Sequence, residues 1–115
     1  MSTIFAAFPL EEELQQRVYM FIEEMRATED RAPFRKELAE IVRLLTDAGL
    51  EYYFWEPVKL TKLGPVTQKM IRVGMNSGKK TLNVIASKVI KGFTNEQMLT
   101  IAEFLESLLL AVETE

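Results

Sequence analysis

Apolar residues recurring at intervals of three and four constrain this chain more than any other feature. Leu10, Leu14, Val18, Phe21, Ile22 and Met25 form one such stripe, and Phe34, Leu38, Ile41, Val42 and Leu45 a second. A third runs through Leu82, Ile85, Ala86 and Val89, and a fourth through Met98, Ile101, Ala102, Leu105, Leu108, Leu109 and Val112. This spacing puts each set on one face of an α-helix. Only the stretch from Leu50 to Trp55, with Tyr52, Tyr53 and Phe54, has residues that strands favour, and no second strand is available to pair with it. It reads as a helical turn or extended connector whose aromatics plug the bundle. The expected fold is all-α, a single-domain bundle of about five helices over residues 1–115.

Breakers and caps set the expected boundaries. Residues 1–8 read as an apolar arm, with Ile4, Phe5 and Phe8 folded back onto the body. Pro9, in a first-turn position, and Glu11, Glu12 and Glu13 suit the start of a helix over about 9–26. Pro33 opens a helix to about 48, and Gly49 stands where a left-handed cap is wanted. Pro65 starts another helix with Val66, Met70 and Val73 on one side; Gly74 to Gly78 breaks it, and helical spacing resumes from Lys79 to Ile90, with Gly92 closing the segment. Thr94 and Gln97 have capping-box spacing ahead of a last helix running to about 112.

Composition excludes much chemistry. With 115 residues, 48% of them hydrophobic and 27% charged, the chain can bury one core. It has neither cysteine nor histidine. Thiolate and Ser–His or Cys–His nucleophiles are therefore ruled out, along with almost every zinc site, and no cofactor is expected. Met1 to Phe8 has no cationic start and too short an apolar run for a signal or a membrane span, so the cytoplasm is the expected compartment.

Charge is segregated along the chain. Val58 to Asn95 contains no acid and eight bases, namely Lys59, Lys62, Lys69, Arg72, Lys79, Lys80, Lys88 and Lys91. Residues 1–57 hold 12 acids and 6 bases, and residues 96–115 hold 5 acids and no base. A basic middle between acidic ends points to an anionic partner or to head-to-tail pairing.

Two motif readings compete for that middle. Gly74 to Thr81 (GMNSGKKT) resembles a phosphate-binding loop only loosely. Three residues rather than four separate its glycines, Lys80 takes the metal-contact position, and no aspartate follows Asp47. A helix-turn-helix-like segment at 65–91 fits better, with 79–91 as the reading helix. Lys69, Arg72, Lys79, Lys80, Lys88 and Lys91 would then meet phosphates, and Asn83 and Ser87 base edges. The alternative is a lysine face that is simply solvated. The aromatic run points several ways around a helix and fits packing better than base stacking, and Glu11–Glu13, Glu23, Glu24, Glu29 and Asp30 read as solvated carboxylates rather than catalytic pairs.

The final helix carries more apolar surface than one face needs: Leu99, Phe104 and Leu110 fall outside its main stripe. Surplus of this kind marks interfaces, and these three residues are the expected dimer contacts. The sequence thus favours a non-enzymatic helical interaction or regulatory module, a homodimer that binds a macromolecular protein partner, with no membrane role. The alternative is a nucleic-acid-binding regulatory protein using residues 59–91.

Overall fold

The computed structural model describes residues 7–109. In order it contains α1 (Glu12–Ala27), a 3-10 turn (Ala32–Phe34), α2 (Arg35–Leu50), a π turn (Glu51–Trp55), α3 (Glu56–Leu60), α4 (Pro65–Lys91) and α5 (Asn95–Leu108). There is no strand among the described residues, and the all-α class holds. Because α2, the π turn and α3 follow one another without a gap, the elements make four helical rods.

The core is built chiefly by three of these rods, with Ile90 added from α4. α1 contributes Val18, Phe21, Ile22 and Met25, α2 contributes Leu38 and Ile41, and α5 contributes Met98, Ala102 and Leu105. These are the stripes that the sequence spacing marked. α1 lies between α2 and α5, and paired charges tie both flanks: Arg17 donates to Glu37 on α2 (2.6 Å) and Arg26 forms a two-point contact with Glu106 on α5 (2.5 and 2.6 Å). The connections are joined as well. Arg31 donates to the Met25 carbonyl (2.7 Å), and Arg35 Nε donates to the Phe93 carbonyl (3.0 Å).

Pro9 lies before α1 in extended chain rather than in its first turn; the helix starts at Glu12, with Glu12 and Glu13 at its positive end. Gly49 is not a left-handed cap. No glycine has positive φ, and the rod runs on to Leu60. The glycine answers a different need, since a Cβ there would stand 3.3 Å from the Phe8 ring. Phe8 in turn meets Tyr53 edge-to-face at 5.6 Å; the expected arm up to residue 6, Ile4 and Phe5 included, lies outside the described residues.

The π turn has its cause in Pro57. Proline has no N–H to donate, and in a regular α-helix its ring crowds the carbonyl four residues back. The wide turn just before it, with the Glu56 N–H bonded to the Glu51 carbonyl, takes up that conflict. Tyr52, Tyr53 and Phe54 are 39–58% exposed and do not plug the bundle, while Trp55 is partly buried. Lys62, at φ 56°, then turns the chain towards α4.

α4 is the main departure from the sequence reading. It is one unbroken helix of 27 residues, about 40 Å long, and Gly74 to Gly78 lies inside it. There is no helix-turn-helix at 65–91 and no loop to cradle a phosphate, because the backbone amides of this segment belong to the helix. Two interior glycines weaken a helix by about 1 kcal/mol each without forbidding it. Leu82, Ile85 and Val89, expected to face inward, are about half exposed, and Ile90 is the one α4 residue that is buried. α4 packs mainly along α2.

α5 begins as its spacing implied. The Gln97 N–H donates to Thr94 Oγ1 (3.1 Å) and the Thr94 N–H donates to Gln97 Oε1 (2.9 Å), completing the capping box. The helix ends at Leu108, short of 112, with Leu108 exposed rather than in the core; Val112 lies outside the described residues. Thr94→Ala should lower stability by about 0.5–2 kcal/mol, read as a lower urea midpoint with an unchanged denaturant slope.

Candidate interaction surface on α4

One carboxylate organises the basic helix. Glu51, in the π turn, accepts from Arg72 and from Lys79 (3.0 Å), which lie on either side of the glycine segment. The two cations are seven positions apart, nearly two full turns, so they share a face only if the helix continues between them. Arg72 also lies over the Trp55 ring, 4.1 Å from its centroid. These contacts fix the register of α4 on the α2 rod. The Glu51 carboxyl is held below its ordinary range chiefly by the Arg72 hydrogen bond; partial burial opposes this and Lys79 adds to it.

Arg72 and Lys79 are thus committed within the chain, and the Lys79 side chain is only 15% exposed. Lys69, Lys80, Lys88 and Lys91 are exposed and have no ion-pair partner among the described residues. Of the residues singled out by sequence, Lys79, Lys80, Asn83, Ser87, Lys88 and Lys91 come together along one open groove of about 570 Å³ between α4 and α2. Asp47 of α2 also lines it and pairs with Arg43 at 3.3 Å. Lys69 and Arg72 lie outside that groove. It is a shallow, open surface whose polar lining is lysine point charges with Asn83 and Ser87 from α4 and the Asp47 carboxylate from α2.

The acidic side chains lie elsewhere. Glu11, Glu12, Glu13, Glu23, Glu24, Glu29 and Asp30 are exposed, and no three metal-ligating side chains gather among the described residues. No described helix is long and apolar enough to cross a membrane.

The expected dimer contacts on α5 divide. Phe104 is 56% exposed, Leu99 is partly buried, and Leu110 lies outside the described residues. A larger apolar surface went unread in the sequence. Val66 (75% exposed), Met70 (70%), Val73, Leu82, Val84, Ile85 and Val89 all reach solvent from α4. Two glycines inside a stretch of helical spacing were its signal, taken instead as a break. No family model matches this chain, and neither a curated protein nor a solved structure shows significant similarity to it.

The Glu51 hub has a defined acid response. A carboxyl with a lowered folded pKa stabilises above its unfolded value, near 4.3, and that contribution fades as pH falls through the folded value. Glu51→Gln should therefore lower stability at neutral pH by up to about 1 kcal/mol, as for exposed pairs. The difference from wild type should shrink on acidification to pH 3, measured by denaturant melts across that range.

Proposed function

We propose that the protein is a non-enzymatic helical interaction module that works as a homodimer and uses the basic side of α4 to engage an acidic protein partner. The observation that carries this reading is the amount of surface α4 leaves uncovered. Seven large apolar residues of α4, together with Phe104 and Leu108 of α5, are 49–75% exposed. Burying such side chains is worth about 1.5–3 kcal/mol each before ordering costs are subtracted.

Charge supports the same reading. The exposed lysines of α4, and Glu11 with the α1 glutamates Glu12, Glu13, Glu23 and Glu24, have no ion-pair partners among the described residues. Two copies, or one copy and an acidic partner, can match them. Such complementarity guides association and orientation more than it adds affinity. The second reading, binding of nucleic acid along α4, is favoured by one observation, the convergence of Lys80, Lys88 and Lys91 with Asn83 and Ser87 on a single groove. A chain with net charge −3 and its only α4 arginine tied to Glu51 is less suited to it.

Light scattering of dilute protein should give twice the 13.2 kDa monomer mass; a monomer would refute the homodimer. Lys80→Glu with Lys88→Glu should weaken capture of an acidic peptide while duplex DNA binds wild type only at low salt. Tight duplex binding at physiological salt, falling steeply as salt is added, would decide for the second reading.

A further inference from the structure

We infer that Glu51 is the latch of a hinge in α4: when its contacts to Arg72 and Lys79 let go, residues 65–73 swing away from the π turn about Gly74 and Gly78, while residues 83–91 stay docked. The two ends of this helix are held by different means. At the C-terminal end Ile90 belongs to the core and Ala86 packs against it, as does Phe93 just beyond the helix. At the other end Ile71 and Met75 are partly buried but are not among the residues packed against that core, and Val66 and Met70 face solvent. The polar contacts there are those of Arg72 and Lys79 with Glu51, and Arg72 also covers the Trp55 ring.

The glycines lie where a hinge needs them. Arg72 stands two residues before Gly74 and Lys79 directly after Gly78, so Glu51 grips the helix on both sides of the pair. Interior glycine weakens a helix, and Gly/Ser pairs such as Ser77–Gly78 are among the places where helices kink. Neither glycine is required by packing or by backbone conformation. A Cβ built on either meets no atom within 4 Å, and neither has positive φ. The carboxylate that spans the pair resists bending there. A latch made of partly exposed ion pairs is weak, so it can open without unfolding the core.

The chain has no cysteine, so spin labels can be placed in pairs on the full chain and diluted with unlabelled protein to read intrachain distances alone. Labels at Val66→Cys and Glu24→Cys follow the arm, and labels at Lys88→Cys and Glu24→Cys follow the docked end. Adding Glu51→Gln should raise the population at displaced distances roughly fivefold in the first pair, the equivalent of about 1 kcal/mol, and leave the second pair unchanged. Gly74→Ala with Gly78→Ala in the same background should lower that population again. Trp55 is the only tryptophan, and its emission should move to the red as Arg72 leaves its ring. Circular dichroism of Glu51→Gln should show wild-type helix content. An unchanged first pair, or both pairs shifting together, would overturn the hinge. A fall in helix content would mean that the arm melts rather than swings, and would overturn it as well.

Discussion

The placement of α4 depends on Glu51. A helix of 27 residues that buries only Ile90 has little apolar packing to hold it in register, so polar contacts take over that task. Each exposed ion pair is worth at most about 1 kcal/mol, and a cation over an exposed ring about 0.5–1 kcal/mol. Their value lies in position more than strength. Arg72 and Lys79 bracket the two glycines and converge on one carboxylate, so the weakest part of the helix is spanned by its own anchors. The carboxylate is presented by the π turn that Pro57 induces. A proline in one rod thereby helps set where the other one docks.

Local signals were legible where they have one physical meaning. Thr94 and Gln97 satisfy each other's backbone donors, and nothing tertiary competes with that geometry. The stripes of α1 and α5 were legible because both helices face one core. The errors came where a residue type has two uses. Gly49 and the Gly74–Gly78 pair were read as punctuation, but Gly49 admits Phe8 and the pair sits in unbroken helix. Periodicity identified Leu82, Ile85 and Val89 as sharing a side; it could not say that this side faces away from the core. The site was legible in part for a related reason. Lys80, Asn83, Ser87, Lys88 and Lys91 follow from helical geometry alone, but the commitment of Arg72 and Lys79 to Glu51 depends on how two distant rods meet.

The contact between α1 and α5 joins residues as far apart as Arg26 and Glu106, and this sets an order of assembly. The α2–α4 pair closes over a shorter stretch of chain and depends on no later element. α1 has no α5 to pack against until almost the whole sequence is present, so Phe21, Ile22 and Met25 emerge from the ribosome before Met98, Ala102 and Leu105 exist to cover them. At about 5–20 residues per second, that interval lasts several seconds. During it Leu38 and Ile41 of α2 are available to cover one side of the α1 stripe, while its other side waits for the last helix.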